Sequence, residues 1–336
     1  MAVTAKELAK RLDLSEAAVS LALNHKPGVS TATRKRVLAA AEKAGFDFTK
    51  LKQAGPAPNS GSVYFVIFKK HGAVVSDTPF FDQLTEGVDE ACRALSYYLT
   101  IQYLHQGEDV PGLLSGWKQT GCRGLILLGT EMQPQDIRPF LGAGLPVVLL
   151  DNYFEELDVD CVLINNIKGA YLAADHLIRR RGTQPGYLHS AYSINNFEER
   201  ADGFYKAIRK NGMSTSRSIV HRLTPSVEGA FADMRELLAQ KEPLADCYFA
   251  DNDLIAAGAV RAFKEAGYRI PQDIAVVGFD DMPVCTVIEP SLTTVHVPKH
   301  YMGRMAVQRL HELIVSPDSR PVKIELSISL KSRKSC

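Results

Sequence analysis

Residues 4–24, TAKELAKRLDLSEAAVSLALN, constrain this chain more than any other stretch. Thr4 and Glu7 stand at capping-box spacing, in which each side chain serves the other's backbone at a helix start. Leu8, Ala9 and Leu12 then recur at helical intervals and make one apolar face. Asp13-Leu14 forms a turn, Ser15 supplies a second N-cap, and Val19, Ala22 and Leu23 continue a buried stripe. A third helix is expected after Ser30 or Thr31, with Val37, Leu38 and Ala41 inward and Gly45 past its end. The pattern predicts a trihelical helix-turn-helix unit whose second helix projects.

The spacing of Leu14, Ser15, Val19, Ser20, Leu23 and Asn24, followed by Val29, Ser30, Thr33, Arg34 and Val37, resembles the DNA-binding headpiece of the lactose-repressor (LacI/GalR) family. The resemblance implies that Ser15, Ser20, Asn24, Ser30 and Thr33 hold DNA phosphates, that Arg34 acts on or near them, and that Thr4 is a further DNA-binding residue. It places Glu16, Ala17 and Leu21 against base edges. Leu21 stands where the family often has Arg, and Ala18 where it often has Thr, so a bidentate Arg–guanine contact is missing at that position. Glu16 could instead accept from a cytosine amino group.

Charge is divided along the chain. Residues 1–52 hold ten Lys/Arg against five Asp/Glu, a net +5, whereas the remainder holds 29 against 33, a net −4. A small basic end on an acidic body fits a nucleic-acid module joined to a part that does not bind DNA. The opening residues are already charged and amphipathic, and no apolar run approaches the ~20 residues of a membrane helix, so a cytoplasmic protein is expected. Six scattered cysteines without a C-x-x-C pair are read as reduced thiols, with no metal site and no cofactor.

DFTKLKQAGPAPNSGS, residues 47–62, is rich in Gly, Pro and Ser and reads as a domain boundary. The family usually carries a hinge helix here; this chain lacks its Pro-Asn and Ala-Arg elements, so the stretch reads either as one helical turn with Leu51 as the minor-groove wedge or as a plain flexible linker. Beyond it, VYFVIF, YLTIQY, GLILL and PVVLL alternate with helical patterns, and the rhythm repeats with strands near 186, 219, 246 and 274. Such alternation predicts doubly wound parallel sheets in an α/β body. The expected divisions are a headpiece at 1–46, a hinge at 47–61 and a two-lobed core at 62–330. Within the core, the N-lobe takes about 62–164 and 295–330 and the C-lobe about 165–294. Pro79-Phe80-Phe81, Asn165-Asn166, Asn252-Asp253 and VGFDD at 277–281 resemble motifs of the same family's periplasmic-binding-protein-like core.

Ligands of parallel sheets bind outside the carboxyl ends of the strands. Asp151 follows PVVLL, Asp280 ends VVGF, and Asn252 follows CYFAD, so the three are held at strand ends. The resemblance adds Phe80, Phe81, Asn196 and Arg200 as effector contacts, and His71 is a weaker candidate. Two carboxylates, a forked guanidinium and aromatic faces suit a sugar. No Walker A, G-x-S-x-G or G-x-G-x-x-G pattern points to catalysis. The function expected is a repressor of a carbohydrate-use operon: a homodimer that binds double-stranded operator DNA, answers to a sugar or phosphosugar and has no membrane partner. The helices near 81–96 and 110–119 are expected to form its dimer interface. Alternatives are a regulator of the same fold responding to a purine or a partner protein, or a solute-binding transport protein.

Overall fold

The computed structural model describes residues 4–23, 29–44, 46, 61–70, 72–75 and 79–336. The chain divides into two compact units, residues 1–60 and 61–336.

The first unit holds α1 (Ala5–Leu12), α2 (Glu16–Leu23) and α3 (Thr31–Lys43). Thr4 and Glu7 form the reciprocal cap: the Glu7 N–H donates to Thr4 Oγ1 at 3.3 Å, and the Thr4 N–H to the Glu7 carboxylate at 2.8 Å. Asp13, in the left-handed region at φ 52°, ends α1. Ser15 and Ser30 each accept a first-turn N–H at 3.1 Å, which fixes where α2 and α3 begin. Leu8, Ala9, Val19, Ala22, Leu23, Val37 and Ala41 close a common core.

The second unit begins with the strands β1 (Ser62–Lys69), β2 (Tyr98–His105), β3 (Cys122–Leu128), β4 (Val147–Leu150) and β5 (Asp160–Ile164). Between them run α4 (Pro79–Ala94), α5 (Val110–Gln119) and α6 (Pro134–Leu141). Next come α7 (Asn166–Arg181), β6 (Gly186–Ser190), α8 (Asn195–Lys210), β7 (Val220–Leu223), α9 (Val227–Ala239), β8 (Cys247–Ala250), α10 (Asp253–Glu265) and β9 (Ala275–Asp280). The chain finishes with α11 (Val284–Val287), β10 (Thr293–His296), α12 (Lys299–Val315), β11 (Lys323–Leu326) and β12 (Ser329–Lys331). One sheet has the order β11-β5-β4-β3-β1-β2 and the other β12-β10-β9-β8-β6-β7. Every pairing is parallel except β10 with β12.

Helices cover both faces of each sheet, which is why β1 is apolar without alternation. Val63, Phe65 and Ile67 pack toward α4 and α12, and Tyr64, Val66 and Phe68 toward α5 and α6. The chain crosses between lobes after β5, after β10 and after β11. The last crossing corrects the expected division. Residues 295–330 do not all return to the first lobe, because β10 and β12 pair with each other in the second sheet. The C-terminal tail stays there as well, with Ser335 donating to the Val276 carbonyl at 2.6 Å.

Helix α12 lies against α4 at glycines on both sides. A methyl group at Gly87 would meet the His300 carbonyl oxygen, and one at Gly303 the Leu84 carbonyl oxygen. Gly303→Ala is therefore expected to destabilise the core by about 1–3 kcal/mol in urea unfolding, as overpacking does. Gly116→Ala, in α5 with open space around it, will stabilise by about 0.5–1 kcal/mol.

Candidate effector cleft and nucleic-acid interface

Helix α2 turns Val19, Ala22 and Leu23 inward, which leaves Glu16, Ala17 and Ser20 exposed on its other face with Leu21 half-buried beside them. Glu16 lies 3.9 Å from the Lys6 ammonium of α1, so this face carries one carboxylate matched by one cation. The hydroxyls of Thr4, Ser15 and Ser30 are occupied as caps, and Thr33 Oγ1 lies 2.8 Å from Ser30 Oγ. A hydroxyl retains further capacity, so capping and a phosphate contact are compatible. Arg34 is half-buried, while Arg36 reaches the Leu12 carbonyl at the end of α1. Asn24, Gly45, Leu51 and the rest of the hinge through residue 60 lie outside the described residues, as does His71.

In the second unit the carboxyl ends of both sheets face a narrow cleft with a water-sized interior of about 40 Å³. All seven expected effector residues, Phe80, Phe81, Asp151, Asn196, Arg200, Asn252 and Asp280, line it. Thr130, Ile194, Phe197 and Met282 join them. Phe80 and Phe81 meet edge to face, with centroids 5.0 Å apart. Asp151 and Asp280 take left-handed backbone angles, φ 64° and 109°, at the sharp exits from β4 and β9. Such angles in residues with a Cβ persist only where the surroundings enforce them.

Arg200 is buried, and its guanidinium is bound on every side. Nε donates to Asn166 Oδ1 at 3.0 Å, Nη1 to the Asp251 carbonyl and Nη2 to Asp280 Oδ1 at 3.4 Å. Its face stacks on Phe279 at 3.7 Å. Arg200 therefore also holds the structure together, because its loss would strand three buried acceptors. Asn252 also has a structural task, since its Oδ1 caps α10 by accepting from the Ile255 N–H at 2.9 Å. Asn196 Nδ2 donates to the Asp151 carbonyl at 3.2 Å and so links the lobes. Asn195 adds bonds to Asn152 Oδ1 and the Tyr153 carbonyl, both at 3.1 Å.

Burial pushes the Asp151 carboxyl up to about 6, against the opposing Thr130 hydroxyl and Arg200 charge. Burial likewise raises Asp280, with Arg200 and Lys299 opposing. Burial would also raise Glu131, but its carboxylate accepts from the N–H groups of Lys70, Gly72, Val74 and Val75 at 2.7–3.2 Å, and these hold it below the usual range. That carboxylate shapes the loop after β1, which delivers Val74 to the cleft.

Sequence reasoning missed Thr130, Glu131 and Lys299. Thr130 lies two residues beyond the end of β3, close to where Asp151 stands after β4, so the strand-end rule could have found it. Lys299 carries no such signal: besides the local Val297 carbonyl, its Nζ donates to the carbonyls of Asp280 and Asp281, which tertiary folding brings to it.

An exposed recognition-helix face and a two-lobed parallel core with a polar cleft define a DNA-binding transcriptional regulator with a periplasmic-binding-protein-like body. Residues 4–47 match the bacterial regulatory proteins of the lacI family, and residues 174–336 match the periplasmic binding protein-like domain. The chain is 29% identical over 309 residues to the HTH-type transcriptional regulator GalS of Salmonella typhimurium, covering 91% of this chain and 88% of that one. It is 29% identical over 341 residues to the HTH-type transcriptional repressor PurR of Mannheimia succiniciproducens, with 99% and 98% covered. The solved transcriptional regulator CelR–cellobiose complex superposes with a TM-score of 0.73 at 26% identity, over 99% of this chain and 100% of that one. The chain thus carries a lacI-family DNA-binding domain together with a periplasmic-binding-protein-like domain, and is a transcriptional regulator, not an enzyme. Among the described residues, no helix is long and apolar enough to cross a membrane.

The raised Asp151 carboxyl fixes the sign of a pH effect. The folded chain holds this proton more tightly than the unfolded one, so ionisation reduces stability as pH rises from 3.8 to about 6 and the loss is complete above that. Asp151→Asn is expected to be about 1–2 kcal/mol more stable than the parent at pH 7.5 and to lose that advantage near pH 4, measured by denaturant unfolding.

Proposed function

We propose that this protein represses a carbohydrate-use operon as a homodimer on a pseudo-palindromic operator, and that a small polyhydroxylated effector in the cleft changes its operator affinity. The observation that carries the effector reading is the convergence of two carboxylates, an anchored guanidinium, asparagine amides and two phenyl rings on one cleft. Carboxylates and amides match adjacent hydroxyls, and aromatic faces match the C–H surface of a sugar ring. The cellobiose complex of the CelR regulator supports the same reading.

Two half-sites engaged by one dimer turn the second contact into an intramolecular one, which a single small headpiece needs for useful specificity. The N-lobe offers a surface for such pairing. Edge strand β2 exposes Tyr98, Ile101 and Tyr103, whereas the outward residues of α4, Asp82, Glu86, Glu90 and Arg93, are charged. The proposed interface therefore centres on β2, with α4 and α5 at its borders.

The DNA assignment is tested by fluorescence anisotropy on duplexes selected with the purified protein. Arg34→Ala will weaken binding to all sequences and lower the salt slope by about 1, Ser20→Ala will weaken binding without changing that slope, and Ala17→Gln will alter base preference. A chain lacking residues 1–46 that bound the selected duplex with undiminished affinity would refute the assignment.

A further inference from the structure

The charge around the cleft is one-sided. Among the described residues, its charged lining is Asp151, Asp280 and Arg200, and all three guanidinium nitrogens already donate to protein acceptors. The second nearby cation, Lys299, is not part of the lining: its ammonium donates to three carbonyls and lies 5.7 Å from the Phe80 ring centroid. Helix N-termini attract anions through their free N–H groups and dipoles, and α4, α8 and α10 begin at lining residues. Each of these helices already carries an acid in its first turn: Asp82, Glu198 and Asp253. Asn252 also takes up an N–H of α10. A recess of about 370 Å³ adjoins the cleft through the shared Ile194, and Glu155, Glu156 and Glu198 line it. The positive potential that a phosphate group requires is thus answered internally, and what remains is negative.

We infer that the cleft accepts an uncharged polyhydroxylated molecule and excludes its phosphate esters. This rests on the effector reading above and narrows it, since that reading alone admits sugars and sugar phosphates equally. Hydroxyls can donate to Asp151 and to the open lone pairs of Asp280, whereas a phosphate offers only acceptors and adds charge beside two carboxylates. Burial lifts the Asp151 carboxyl even with Arg200 nearby, so this site already lacks positive compensation before any ligand charge is added. A like charge about 6 Å away at an effective dielectric near 20 corresponds to about a hundredfold in affinity.

The test is calorimetric titration of the intact protein at pH 7.5 with D-glucose, D-galactose, D-ribose and cellobiose, and in parallel with glucose 6-phosphate, galactose 6-phosphate and ribose 5-phosphate. The expected result is saturable binding of at least one neutral sugar, with each ester at least about a hundredfold weaker than its parent. An ester that binds as tightly as its parent, or more tightly, overturns the charge inference and leaves the effector reading standing. Failure of both series to bind removes the effector reading, and the inference falls with it.

Discussion

One chain of hydrogen bonds runs across the cleft, and the arrangement of the two lobes depends on it. Asp280, at the end of β9, accepts from Arg200; Arg200 donates to Asn166, Asn166 to Asn196, and Asn196 to the Asp151 carbonyl beyond β4. Its members are buried, where an unmatched donor or acceptor costs about 1–3 kcal/mol, so the chain favours remaining complete. The same groups line the cleft, so a molecule that bonds to Asp151 or Asp280 acts directly on the link between the lobes.

The crossings beside this chain are also tied by polar contacts. Asn165, entering α7, caps that helix and donates to Glu325 of β11 at 2.6 Å. Lys299, leaving β10 for α12, binds the carbonyls of Asp280 and Asp281. Asp281 in turn pairs with His296 and Arg333. Any movement of the lobes would therefore bear on the same strand ends that form the cleft.

Much of this was legible in the sequence because local chemistry decides it. Thr4, Ser15 and Ser30 were recognisable as caps because a cap needs only its own first turn. Asp151, Asn252 and Asp280 were recognisable because the residue after a parallel strand is placed by the strand itself. What escaped was set by distant partners. Nothing near Arg200 announces that Asn166, Asp251 and Asp280 enclose it, and nothing near residue 329 announces that β12 pairs with β10 in the second sheet. Asn195 reads as a polar helix start until the loop at 152–153 is brought against it.

In the proposed mechanism, closure of the cleft governs affinity for DNA. Its most direct test removes the cross-lobe bonds while leaving the headpiece sequence untouched, in the double variant Asn195→Ala, Asn196→Ala. X-ray scattering and operator affinity are measured together without added effector. The expected result is a more open core and an operator affinity changed by about fivefold or more, the scale of ordinary coupling between sites. An open core with unchanged operator affinity would contradict it.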